Sequence, residues 1–199
     1  AASDVYKRQP LTISAAQVDA LIANPSSISG YSASGPIIIT GAITHTQANN
    51  LNGVDATYIQ ATISETTAAN LAAIAVDNST RASLNKFSVV VSDTTATAAE
   101  LNAVSAITSV AADFSNITGI EASDSAAITT LYTASTTGLG SETISITDIT
   151  IDAATLNTIN GYTTGVVNAV SVNTITGTAA DLILVYTAKE AGALTFSTD

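Results

Sequence analysis

The chain has 199 residues, of which 46% are hydrophobic and only 11% charged, and Ala, Thr and Ser together fill about 90 positions. It contains no Cys, Met or Trp and one His, which excludes a disulfide framework, a zinc–thiolate site and a thiol nucleophile. A formal charge of −11 repels a phosphate backbone, and no apolar run approaches a membrane span, so neither a nucleic-acid partner nor membrane insertion is expected.

In chain order, the first segment is set aside. Ser3-Asp4-Val5-Tyr6-Lys7-Arg8-Gln9 looks like the translated end of a sequencing-library adapter, as found in metagenomic reading frames. Residues 1–9 are therefore read as a tail outside the fold, and residues 10–199 as a single domain. Beyond the tail one pattern recurs seven times: a small residue, two of any type, a large aliphatic, two of any type, an aliphatic. The copies centre on Val18/Leu21, Leu51/Val54, Leu71/Ile74, Leu101/Val104, Ile128/Leu131, Leu156/Ile159 and Leu182/Val185. Three positions before each first aliphatic stand Ala15, Ala48, Ala68, Ala98, Ser125, Ala153 and Ala179. Successive first aliphatics are 33, 20, 30, 27, 28 and 26 residues apart, so the period is about 27 with the second copy displaced. Pro25, Gly30, Gly35 and Pro36 mark an irregular connection before that copy. A period of this length belongs to repeat architectures.

Each copy reads as a short helix of about 8–10 residues with its own start signal. Thr97-Ala98-Ala99-Glu100 is a capping box, and Ser14, Thr67, Asp124, Asp152 and Thr178 hold the same cap position. Ile13 with Val18, and Ile151 with Leu156, have the spacing of a hydrophobic staple. Between the helices, Ile37–Thr40, Tyr58–Ile63, Phe87–Val91, Thr143–Thr147 and Val170–Ile175 read as strands, and Ala191–Phe196 as a last one. Asn160-Gly161 and Thr164-Gly165 are placed where a helix C-cap needs positive φ. Strand, helix and return together predict an α/β solenoid of about seven stacked coils with a parallel sheet. One coil by itself has too little apolar surface to bury; stacked coils shelter one another.

Gly138–Asp148, Ala153–Ile159, Thr164–Ala169 and Asn173–Leu182 resemble the Ala/Thr-rich repeat arrays of giant surface proteins of marine bacteria, notably cyanobacteria. The match covers about residues 87–188 and is looser over 37–86. The resemblance implies an α/β solenoid in an extracellular or cell-surface protein; the activity of such arrays is mostly unassigned.

No residue is assigned a catalytic, cofactor-binding or metal-binding role. His45, the one imidazole, reads as a polar helix-start or loop residue with no nucleophile or carboxylate nearby in sequence. Asp148, Asp152, Asp93, Glu100 and Asp124 fall at strand-to-helix junctions and read as caps and dipole partners. Gly138-x-Gly140 reads as a turn, and Asn78-Ser79-Thr80 and Asn116-Ile117-Thr118 as chance sequons. Thr44-x-Thr46 and Thr174-x-Thr176 have the step that sets two hydroxyls on one strand face. The functional expectation is a structural repeat segment, not an enzyme: a stiff spacer, adhesion stalk or filament-forming element. It would associate end to end through exposed strand edges. The other reading is a surface-binding module whose regular Thr-rich face takes ice or glycan.

Overall fold

The computed structural model describes residues 9–76 and 84–197. The adapter-like tail before Gln9, the sequon at Asn78 and the basic Arg81 lie outside the described residues. Two compact units are present: residues 1–90 with 103–112, and residues 91–102 with 113–199. Each is described by itself.

The first unit holds strands β1 (Leu11–Ser14), β2 (Ile37–Ile43), β3 (Ile59–Ile63) and β4 (Lys86–Ser88). They form one four-stranded sheet in chain order, and every neighbour is parallel. Helix α1 (Val18–Ala23), entered through a 3₁₀ turn at Ala15–Gln17, follows β1; α2 (His45–Leu51) follows β2; α3 (Ala68–Ala72) follows β3. Ile13, Ile39, Ile59, Ala61 and Phe87 on the strands and Val18, Leu21, Ala48, Leu51 and Leu71 on the helices are all buried.

The second unit repeats this plan. Its strands are β5 (Thr95–Thr97), β7 (Gly119–Ser123), β9 (Thr143–Ile146), β11 (Val167–Asn168) and β13 (Leu194–Thr195), joined in that order in a five-stranded sheet. Thr95 stands opposite Gly119, Gly119 opposite Thr143, Ile144 opposite Val167 and Val167 opposite Leu194, all parallel. A separate parallel pair joins β10 (Thr150–Asp152) to β12 (Thr174–Thr176). Two short strands, β6 (Ala112–Asp113) and β8 (Thr136–Thr137), lie in the connections. The helices are α4 (Ala98–Ala106), of which residues 98–102 belong to this unit, α5 (Ser125–Thr133), α6 (Ala153–Asn160) and α7 (Ala179–Glu190). The chain is thus α/β, with strands and helices alternating and open parallel sheets rather than a closed barrel.

All seven α-helices among the described residues fall on the marked copies, and at Thr67, Thr97, Asp124, Asp152 and Thr178 the caps are where the sequence puts them, whereas Ser14 precedes the 3₁₀ turn and Gln17 is the N-cap of α1. Thr97 and Glu100 close a capping box, with Glu100 N–H donating to Thr97 Oγ1 at 3.2 Å and Thr97 N–H to Glu100 Oε2 at 3.0 Å. Asp124 accepts from Ala127 N–H at 2.8 Å, Asp152 from Ala154 N–H at 2.9 Å and Thr178 from Asp181 N–H at 3.2 Å. Each such cap stabilises its helix by about 1 kcal/mol. The helices have between 5 and 12 residues, a wider range than expected. Helices this short do not persist alone in water, so burial of their aliphatic stripe holds them.

Several expectations need correction. In the second copy Thr44 is the N-cap, with Gln47 closing the box. His45 therefore takes the first helical position that other copies give to Ala or Ser; Leu51 and Val54 are both buried, but Val54 lies in the turn after the helix, and Ala48/Leu51 is the buried pair within it. Thr44 and Thr46 are a cap and a helix residue, not two strand hydroxyls. The expected strand Val170–Ile175 is a turn up to Asn173 with only Thr174–Thr176 extended. Regular pairing ends at Ser88 within Phe87–Val91, and in the last segment only Leu194–Thr195 is a strand. Gly161 is helical with φ −75°, and Gly165 is not in the left-handed region. Gly165 is needed for close approach instead: a Cβ there would stand 2.3 Å from the Glu142 carbonyl oxygen.

Gly165→Ala is therefore expected to cost about 3 kcal/mol through this backbone clash. That corresponds to a Tm lower by roughly 6–12 °C at this chain size, read by circular dichroism. Gly53→Ala, whose Cβ would meet Asn50 O at an ordinary 3.6 Å, should stay within about 0.5 kcal/mol of the parent.

Candidate functional site

The residues with chemical potential do not converge on a pocket. His45 sits at the start of α2, where its Nδ1 pairs with the Glu65 carboxylate. Glu65 Oε2 also accepts the His45 backbone N–H at 3.3 Å, and His45 Nε2 lies 3.4 Å from Thr46 Oγ1. The carboxylate that sequence inspection did not find near His45 thus arrives from the following strand–helix repeat. The arrangement is that of a helix start held by its neighbour, as Glu65 binds the backbone and the ring together. Asp124, Asp152 and Glu100 are spent on caps. Asp148 accepts from Ser125 N–H at 2.7 Å and from Ser125 Oγ at 2.8 Å, so it caps the helix of the preceding repeat. Among the described residues no group of three or more His, Cys, Asp or Glu side chains is placed to hold a metal ion.

What the fold does bring together is a polar seam between successive helices. The first amide of a helix is an orphan donor. For α2, α4 and α5 it is satisfied from the next repeat: by Glu65, by Ser123 Oγ at 2.8 Å from Ala98 N, and by Asp148. A second bracket lies one residue after the first buried side chain of the stripe. There Asp19 accepts from Gln47 Nε2 at 2.9 Å and Asn49 Oδ1 from Ala75 N–H at 2.9 Å. Asn102 Nδ2 donates to Ala127 O at 2.9 Å, and Asn157 Nδ2 to Asp181 O at 3.0 Å. These partners lie 24 to 28 residues apart, about one repeat. The sequence reading treated this position as free. The signal was present, as Leu101-Asn102 and Leu156-Asn157, but only the stacking gives the Asn a purpose.

A second unforeseen cluster surrounds Glu142, which is fully buried without a cation. Its Oε2 accepts from Gly140 N–H at 2.8 Å and Ser141 N–H at 3.0 Å, and its Oε1 from the Tyr132 hydroxyl. The Glu142 carbonyl takes the Thr163 hydroxyl at 2.7 Å. The Tyr132 ring stacks on Tyr162, with centroids 4.7 Å apart and planes within 3°. The carboxylate pins the turn that leads into β9, where Gly138 and Gly140 both have positive φ. A buried carboxyl group is tolerable when its oxygens are filled by hydrogen bonds.

The open surfaces among the described residues include two of note. The outer face of the five-stranded sheet carries a shallow groove of about 520 Å³, formed because Gly119, Ala122 and Ser145 are small there. Thr95, Gly119 and Thr143 lie in one cross-strand row and Ser145, Asn168 and Thr195 in another. Glu121 accepts from Thr95 Oγ1 at 2.6 Å, so this hydroxyl face is interrupted by a glycine, a carboxylate and an amide. Thr174 and Thr176 do share an exposed strand, beside Thr150 and Asp152. The other surface is the far side of α7, where Ile183 and Tyr186 are exposed.

Compared with protein-family models, with curated proteins and with solved structures, the chain finds no match.

Asn157→Ala is expected to cost about 1 kcal/mol through loss of one seam hydrogen bond. Glu142→Gln should cost more, roughly 2–3 kcal/mol, because one amide cannot accept on both sides. Urea midpoints of the two variants against the parent give both values.

Proposed function

We propose that the chain is a structural repeat segment of an extracellular or cell-surface protein. Its seven strand–helix copies would stack as coils of one α/β solenoid, acting as a stiff spacer, adhesion stalk or filament-forming element without catalysis. The observation that carries this reading is the seam. In each unit the main sheet adds strands in chain order, all parallel, and side chains bridge one repeat to the next: Ser123 and Asp148 cap the helix before them, and Asn157 donates to the helix after it. A protein built this way couples each repeat chiefly to its neighbours, which suits resistance to extension. The acidic balance of −11 keeps such a rod soluble. The resemblance to Ala/Thr-rich surface arrays supports the same place of action. Self-association end to end, through uncovered strand edges, would extend the rod.

A second reading, a face that binds ice or glycan, is favoured by the row of Thr95 and Thr143 beside the groove. The interruptions at Gly119, Glu121 and Asn168 weigh against a uniform ice-ordering lattice. Measurable thermal hysteresis, lost in Thr143→Val, would make it the better account.

The mechanical reading is tested by pulling single molecules from both ends. Unfolding is expected in discrete steps of one repeat, about 27 residues or roughly 90 Å of released chain each. Release of the whole chain in one event at low force would count against it.

A further inference from the structure

We infer that Tyr132 and Tyr162 form an oxidative cross-linking site, at which a peroxidase-type one-electron oxidant joins the two rings by a carbon–carbon bond while Glu142 takes the Tyr132 proton. The site stands on the geometry of the second unit alone. Its use, a covalent tie between successive repeats, rests on the structural reading above.

Three observations converge. Tyr132 lies at the end of α5 and Tyr162 in the turn after α6, one repeat further on. Their rings stack with centroids 4.7 Å apart and planes within 3°. Ring carbons of two phenoxyl radicals couple from a stacked pair, and this separation is close to that of two phenol rings already joined by one bond. The link therefore asks for rotation of two side chains rather than travel of the backbone. Both rings are half-buried, so they are held in place yet open to an oxidant in solvent.

The second observation is the proton path. The Tyr132 hydroxyl donates to Glu142 Oε1, while Gly140 and Ser141 N–H groups donate to Oε2, so the carboxyl group accepts in all three contacts. A phenol gives up an electron readily only when its proton leaves too, and a base already hydrogen-bonded to it removes that proton at once. Other tyrosines are placed differently. Tyr58 has the Lys86 ammonium 4.1 Å over its ring, which opposes loss of an electron. Tyr31 donates to the Asp55 carbonyl, which cannot keep a proton. The third observation is compositional: with no Cys, the chain cannot tie one repeat to the next by a disulfide.

The step balances as follows. Each phenol O–H breaks, its electron passing to the oxidant; the Tyr132 proton goes to Glu142 and the Tyr162 proton to water. The two radicals pair through the carbons ortho to their oxygens, forming one C–C bond. Those carbons then lose their hydrogens as protons, and the oxygens are reprotonated, that of Tyr132 from Glu142. Two electrons and two protons leave in total, and they reduce one hydrogen peroxide to two waters.

The test oxidises the dilute full chain with photo-oxidised tris(bipyridyl)ruthenium, persulfate taking the electrons. A monomeric product lighter by two hydrogens, with dityrosine fluorescence, is expected. Glu142 lies between the two tyrosines in the chain, so a glutamate-specific protease acting on the unfolded product should leave their two fragments joined. Tyr162→Phe, which keeps the ring and the stack, should lose the joined fragment and leave a Tyr132 radical visible by electron paramagnetic resonance. Adding Glu142→Gln to that variant should lower the radical by roughly tenfold or more at neutral pH and restore it in mildly alkaline solution, where hydroxide takes the proton. A fall that alkali does not restore overturns the role of Glu142. Coupling only between chains, or a joined fragment that survives Tyr162→Phe, overturns the site. Pulled from both ends, the linked chain should release roughly 100 Å less, the reach of the 30 residues enclosed. A mapped link in a chain that still gives way in one low-force event bears out the site and counts against the structural reading alone.

Discussion

The constraint on which the structure depends is that no strand–helix repeat is complete by itself. Its helix is too short to persist in water, its two or three aliphatic side chains have nowhere to go, and its first amide has no acceptor. For the repeats of α2, α4 and α5 the neighbouring repeat corrects all three deficits at once. Burial of Leu101, Ile128 and Leu156 supplies the free energy, at roughly 1.5–3 kcal/mol for each side chain. Ser123, Asp148 and Glu65 supply the acceptors. The sheet ladders hold the strands at one repeat's offset.

The polar seam has a different task from the core. Aliphatic contacts tolerate sliding, since one Leu fits against another in several registers. A hydrogen bond from Asn157 to the Asp181 carbonyl, or from Ser125 to Asp148, is satisfied in one register only. The seam thus selects the stacking that the core makes favourable. The same logic explains the low charge content. Of the carboxylates described, many are committed to helix starts, their own or a neighbour's, where the macrodipole favours them. Glu142 is the extreme case: buried, but filled by two backbone amides and a tyrosine hydroxyl.

The sequence was most legible where signals are local. Thr97-x-x-Glu100, Asp124, Asp152 and Thr178 announce helix starts because a cap is settled within four residues. It was less legible where a repeat departs from its neighbours. In the second copy, alignment on aliphatic residues shifted the register by one helical turn, because Ala48 takes the place of a larger side chain. Gly161 and Gly165 were misread because a glycine needed for close approach has the same letter as one needed for positive φ. The Glu142 cluster left no trace, since its tyrosines stand ten residues before and twenty after it in the chain.

By itself, then, the sequence determined the class of the molecule: alternating strands and helices, where most of the helices begin, most of the side chains that enter the core, and that the strands run parallel. These follow from capping, periodicity and connection length, which act over a few residues. Only the tertiary structure decided which amide each seam side chain answers, that His45 meets Glu65, and that α7 turns an apolar face outward. Those are encounters between residues about a repeat apart or more. They depend on how one repeat sits against the next, and nothing in a local stretch of chain encodes that distance.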